Sequence, residues 1–240
     1  MNVKEKNKLI RKVNSLLLKK FGKPYRNRQL PDPVDLLIAT ILSQNTNDGN
    51  SYEAYKNLKK EYPDWKMLLK VPVQKIERLI KIAGLGKQKS RAIKNFIDSV
   101  YKEKSSIDLK FVEGMDNLSA IKKLTEYKGV GVKTASCVLL FAFDKDVCPV
   151  DTHVHRTVNR IGIVKASTPD KTFFLLNENF PKGIAHSFHT NLIRLGREIC
   201  KPKNPACGIC PLQKICNYID KNPENNSKTK SRSFMLLDNV

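Results

Sequence analysis

The sequence predicts an all-α protein. Ten segments carry apolar residues three or four apart, glycine and proline separate them, and strand-like alternation is nearly absent. The first, over 3–20, sets Val3, Leu9, Ile10, Val13, Leu16 and Leu17 among charges. That is an amphipathic helix and not the apolar block of a signal peptide. Gly22 ends it, and segments 34–43 and 51–62 follow, the second closed by Pro63. Segments 74–82 and 88–102 flank Ala83-Gly84, a glycine stop, and segments 118–126 and 132–142 flank Gly129. The stretch Val147-Cys148-Pro149-Val150 is β-prone but short and broken by proline, so it reads as a connector to the helix at 152–162. Thr168-Pro169 supplies a cap and a first-turn proline for the helix at 169–179, and Pro181 separates that helix from the last one, 184–198. Beyond Cys216 the composition turns to Asn, Lys and Ser over 221–233, with a small apolar patch at 234–237. This reads as a flexible tail, 217–240; docking of Phe234 and Leu236 onto the body is the other reading.

Charge narrows the function. Against 23 acidic residues stand 44 Lys and Arg, a formal net charge of +21 on 240 residues, while 40% hydrophobic content argues for a folded chain. Such a field favours polyanions, nucleic acid above all. Crossing a bilayer takes about 20 consecutive apolar residues, and the longest apolar run, 137–143, is far shorter. No membrane span and an intracellular location are expected. Four of the six cysteines, Cys200, Cys207, Cys210 and Cys216, crowd into one loop. In a reducing compartment such crowding points to a metal centre and not to disulfides.

Two units share a Gly-X-Gly centre between helices: Gly84-Leu85-Gly86 and Gly129-Val130-Gly131. Glycines permit unusual backbone angles and close approach, and the amides opening the next helix make an anion site suited to a DNA phosphate. Alone, the pattern is equally a tight interhelical turn. Lys133 follows the second pair in the first turn of its helix, where the helix dipole and nearby cations favour a neutral, nucleophilic amine. Asp151, in Pro149-Val150-Asp151-Thr152-His153, opens the next helix, where a carboxylate can steady a developing cation or handle a proton. Taken singly, the first is an ordinary surface lysine and the second an N-cap.

The run GVGVKTA (129–135), the PVDTH segment (149–153) and Cys-x6-Cys-x2-Cys-x5-Cys at 200–216 together resemble endonuclease III, of the helix–hairpin–helix DNA glycosylases with an iron–sulfur cluster. The likeness covers roughly residues 5 to 216, with the motifs in the family's order. The cysteine spacing resembles the family's loop for a 4Fe–4S cluster; zinc and unligated thiols are the alternatives, although zinc usually takes two Cys-x2-Cys pairs. Lys201 and Lys203 in that loop can meet phosphate, and Cys137 and Cys148 belong to the core.

The resemblance implies roles. Lys133 would attack C1′ of a flipped nucleotide, expel the damaged base and form a Schiff base, with β-elimination after it; Asp151 would assist. Gly129, Val130 and Gly131 would grip phosphate. Gln44, in ILSQNTND (41–48), and Leu85, in AGLGKQKSRA (83–92), resemble the residues that fill the gap left in the duplex. Lys87, Lys89 and Arg91 continue as a basic helix, DNA-facing or merely solvated; His153 reads as an orienter near Asp151 or a DNA phosphate contact and His155 as structural, neither catalytic.

Two helical domains are implied: 35–145, a six-helix DNA-binding domain, and 1–34 with 146–216, a cluster domain, with the active-site cleft between them. The implied activity is a bifunctional glycosylase and lyase removing oxidised or damaged pyrimidines from double-stranded DNA. The enzyme would be a monomer, cytoplasmic in a prokaryote and nuclear or organellar in a eukaryote. Lys133 argues against the adenine glycosylase acting opposite oxidised guanine, which also carries a long domain after the cluster where 24 residues follow Cys216 here. A mismatch-specific glycosylase and a non-catalytic iron–sulfur DNA-binding protein remain as alternatives.

Overall fold

The computed structural model describes residues 1–227. These form ten α-helices: α1 (Val3–Phe21), α2 (Pro33–Leu42), α3 (Asp48–Glu61), α4 (Val73–Ile80), α5 (Gly86–Lys104), α6 (Asn117–Thr125), α7 (Val132–Ala142), α8 (Thr152–Ile161), α9 (Pro169–Asn177) and α10 (Ala185–Glu198). Each falls on one of the ten periodic segments, and no strand occurs among the described residues. The 3-10 helix Trp65–Lys70 lay outside the periodic reading. It is held at its start by the Asp64 carboxylate, which accepts from the Lys66 amide at 2.8 Å, and by burial of Trp65 and Leu68. Six residues give too few turns for a helical period to register. No described helix is long and apolar enough to cross a membrane.

The described chain divides into two compact units, Asn27–Asp144 and a second that joins Met1–Arg26 to residues 145–227. The first holds α2 to α7. Its core is built on α2 and α7, whose side chains are buried nearly all round: Leu36 to Leu42 on one, Thr134 to Leu140 on the other. At about 1.5–3 kcal/mol per fully buried large apolar side chain, this pairing is a main source of the unit's stability. Asp32 starts α2 by accepting from the amides of Val34 and Asp35 at 2.9 and 3.0 Å, with Pro33 at the first helical position. That capping carries residues 27–34 with α2, whereas the sequence reading had left them with α1.

In the second unit α10 packs on α1 and α8. Asn2 and Glu5 form a reciprocal capping box at the start of α1. At its other end Arg194 donates to the Phe21 carbonyl at 2.8 Å and Asn191 to that of Gly22 at 3.1 Å, so α10 satisfies carbonyls that the helix end leaves open.

The expected tail from 217 is corrected over 217–227. Asn217 donates to the Ile161 carbonyl at 3.3 Å, the Gly208 amide to the Asn225 carbonyl at 3.2 Å, and the Asn225 side chain to the Asn204 carbonyl at 3.0 Å. Two of these are main-chain bonds and the third comes from a side-chain amide, and composition alone reveals none of them. The remaining tail, including Phe234 and Leu236, lies outside the described residues.

Candidate nucleic-acid interface and iron–sulfur centre

Within the six-helix unit the sequence-predicted residues Gln44, Leu85 and Gly129 line one open hollow, together with Lys87, Arg91 and Lys128. Leu85 stands at its rim on left-handed backbone (φ 51°, ψ 33°) and is 48% exposed. A leucine in that conformation carries strain of about 1–2 kcal/mol, and here burial does not offset it. Core packing is therefore not its role. Gln44 follows the C-terminus of α2 and donates through Nε2 toward Thr134 Oγ1 at 3.4 Å, the residue after Lys133.

The second glycine turn is built differently. Gly129 has φ +99°, and a Cβ there would lie 2.5 Å from that of Ala92, so the turn rests directly on α5. Gly131 caps α7 with extended backbone, and nothing stands within 4 Å of where its Cβ would be. Both glycines are exposed, and among the described residues neither amide has an acceptor. Val130 between them departs from expectation. It is 4% exposed and its amide donates to the Tyr127 carbonyl at 3.0 Å, so it anchors the turn and offers no amide to a phosphate. Lys133, half-buried, is the second residue of α7.

Lys89, expected on a solvated or DNA-facing surface, is instead buried. Its ammonium donates to the carbonyls of Leu42 and Ala83, both at 2.8 Å, and desolvation pushes its pKa down to about 8. On α5 it falls on the face carrying Ile93 and Phe96, a register that only the apolar positions beyond it define.

In the second unit Asp151 caps α8, Oδ1 accepting from the Val154 amide at 2.7 Å. His153 packs against Gly196 and lies 3.2 Å from an Arg156 nitrogen; burial lowers its pKa. His155 meets Thr172 Oγ1 at 2.8 Å and holds α8 to α9. The four clustered cysteines face one small hollow beside Arg160 and Tyr218. Burial pushes the Cys210 thiol up to about 12, and the neighbouring cysteines add to the shift. Thiols gathered this way ionise readily only around a positive centre, so the donor set fits an iron–sulfur cluster held by Cys200, Cys207, Cys210 and Cys216.

Sequence reasoning missed the arginines that tie this loop to α8. Arg156 donates to the carbonyls of Cys200 and Gly196, each at 2.9 Å. Arg160 reaches the Lys201 carbonyl at 2.7 Å and Cys200 Sγ at 3.5 Å while stacking on Tyr218. Their spacing of four on one face of α8 was the available signal. The cluster loop is thus fastened to the helix that Asp151 begins.

Comparison with known proteins agrees with this geometry. Residues 38–182 match the HhH-GPD superfamily of base excision DNA repair proteins, and residues 200–216 match the iron–sulfur binding domain of endonuclease III. Endonuclease III of Thermotoga maritima is 36% identical over 193 residues, covering 80% of this chain and 86% of the relative. That of Sulfolobus acidocaldarius is 31% identical over 79% of this chain and 83% of its own. Among solved structures, a non-covalent endonuclease III–DNA complex superimposes with a TM-score of 0.72 at 27% identity, covering 88% of this chain and 94% of that one. A trapped covalent endonuclease III–DNA intermediate gives the same score and identity over 88% and 95%. The chain belongs to the endonuclease III family of the HhH-GPD superfamily.

Proposed function

We propose that this protein removes oxidised or ring-damaged pyrimidines from duplex DNA with Lys133 as nucleophile and Asp151 as the assisting carboxylate. The reaction class follows from its family: a base excision repair DNA glycosylase and abasic-site lyase that binds damaged double-stranded DNA and carries a 4Fe–4S cluster. The observation that carries the residue assignment is the position of Lys133. It opens α7 directly after two exposed glycine amides that lack acceptors among the described residues, and Gln44 contacts the residue beside it.

In this reading the amides of Gly129 and Gly131 hold a phosphate, reading no base and fixing register. Leu85 and Gln44 enter the duplex where the damaged nucleotide has left it. The Lys133 amine bonds to C1′ as the bond from C1′ to the base breaks, and the departing base is protonated; the nitrogen lone pair then opens the C1′–O4′ bond, O4′ taking the proton that the nitrogen gives up. The resulting imine allows loss of a C2′ proton with expulsion of the 3′ phosphate, which cuts the strand; hydrolysis frees the lysine. Asp151 stabilises the cationic sugar and takes part in these proton transfers. The cluster supplies no step here: its thiolate ligands fix the loop carrying Lys201 and Lys203 and, through Arg156 and Arg160, the helix that Asp151 caps. We assign DNA binding to the six-helix unit and a compartment containing DNA as the place of action, the cytoplasm in a prokaryote.

Borohydride trapping on duplexes carrying thymine glycol or an abasic site tests this. Wild type should form a covalent adduct on both, and Lys133→Ala should form none while keeping salt-sensitive duplex binding within a few-fold. An adduct that persists in Lys133→Ala, or equal loss of binding and trapping, would refute the assignment. Adenine opposite oxidised guanine serves as the third duplex and separates the mismatch reading.

A further inference from the structure

Lys89 is 1% exposed, yet no carboxylate pairs with it among the described residues; its partners are two main-chain carbonyls. Burying an ammonium carries a desolvation penalty of several kcal/mol, and an apolar side chain of similar size would fill the same space at lower cost. The two carbonyls show what the cation does there. Leu42 is the last residue of α2, two before Gln44, and Ala83 is the last residue before the Gly84-Leu85 turn. One ammonium therefore bridges the two chain ends that present Gln44 and Leu85 to the same hollow. The Leu42 carbonyl also lies at the negative end of the α2 dipole, which favours a cation.

We propose that Lys89 is a positioning residue that sets the Leu85 turn against the Gln44 loop, so that both reach the duplex as one preassembled wedge. This rests on the reading of Leu85 and Gln44 as the gap-filling pair. Strained backbone at Leu85 makes such a brace necessary. With Nζ removed, the turn loses the bond that holds Ala83 to α2, and Leu85 can relax toward a conformation in which it no longer aims outward. Preorganisation then has to be supplied at the moment of DNA opening, which slows only substrates whose bases must be parted.

The test is single-turnover excision of thymine glycol from two substrates, one fully paired and one with the lesion and its neighbours in an unpaired bubble. Full-length protein is used as wild type, Lys89→Met, Leu85→Ala and the double variant. Lys89→Met should slow the paired duplex about tenfold, a loss of about 1.4 kcal/mol, and the bubble by less than about twofold. The double variant should be little slower than Leu85→Ala alone, because both changes remove the same wedge. Equal slowing on both substrates, or losses that multiply in the double variant, would overturn the proposal. Should Lys89→Met not fold, Lys89→Gln, which keeps a donor, replaces it; unfolding of both would make Lys89 a stability residue and reject the positioning role. If Leu85→Ala leaves paired-duplex excision unchanged, the wedge reading itself fails, independently of Lys89.

Discussion

The two Gly-X-Gly turns of the six-helix unit share a sequence pattern and do opposite things with it. At 84–86 the middle residue is thrown outward: Leu85 is 48% exposed on left-handed backbone. At 129–131 the middle residue turns inward: Val130 is 4% exposed, its amide is bonded, and the flanking glycines present bare backbone. The first turn offers a side chain and the second offers amides. What separates them is the support beneath. Gly129 sits hard against Ala92 of α5, which fixes the hairpin as a surface, whereas Gly84 has open space around it and its turn is held by the ammonium of Lys89.

The comparison can be broken most severely at Gly129. Alanine there must adopt φ near +99° and push its Cβ to 2.5 Å from Ala92, so Gly129→Ala should destabilise the protein by about 3 kcal/mol, read by thermal or denaturant unfolding. Gly131→Ala has room and ordinary backbone. Its stability should stay within about 0.5 kcal/mol of wild type while duplex affinity falls, because the added methyl keeps phosphate from the amide. Equal effects of the two would mean that the glycines do the same job.

The middle residues sharpen the contrast. Val130→Ala should cost about 2 kcal/mol of stability, as an inward-facing core residue. Leu85→Gly should raise stability by about 1 kcal/mol by relieving left-handed strain, yet slow excision from paired DNA. A stabilised Leu85→Gly with undiminished excision would leave the exposed leucine without a function.

The smallest effect concerns the brace behind the second turn. Tyr127, whose carbonyl holds the Val130 amide, also donates to Glu103 at 2.9 Å. Hydrogen bonds from Lys123, Lys104 and Tyr127 hold the Glu103 carboxyl down to about 2. A carboxylate whose folded pKa is depressed contributes stability above its unfolded pKa of about 4.3 and loses that contribution as pH falls toward the folded value. Wild type should therefore be slightly more stable than Glu103→Gln at neutral pH, with the gap closing between about pH 4.5 and 2. A gap that persists at pH 2 would show that the network does not act through the ionised carboxylate.

How much of this was legible in the sequence differs between fold and site. Most of the helices were legible because they bury one stripe at a 3.6-residue period, whereas α2 and α7, covered on nearly all faces, were legible from their apolar content between turn residues. Spacing also carried the cluster cysteines, since four thiols in one loop need no tertiary fold to meet. Val130 and Lys89 were misread because burial depends on what lies opposite: a valine between glycines and a lysine in a basic run both look exposed until α5 and α2 are in place. Arg156 and Arg160 were passed over for the same reason, their acceptors being main-chain carbonyls that no sequence pattern marks. The Asn-rich stretch after Cys216 looked like a tail because its order comes from bonds to the end of α8 and to the cluster loop, most of them through the main chain, which composition does not mark.

The most direct test of the account is to reduce the wild-type adduct on thymine glycol duplex with borohydride, digest protein and DNA, and locate the sugar remnant by peptide mass spectrometry. The account predicts the remnant on the ε-amine of Lys133, within the peptide that begins at the Gly129 turn. A remnant on any other lysine, or on the α-amine, would contradict it.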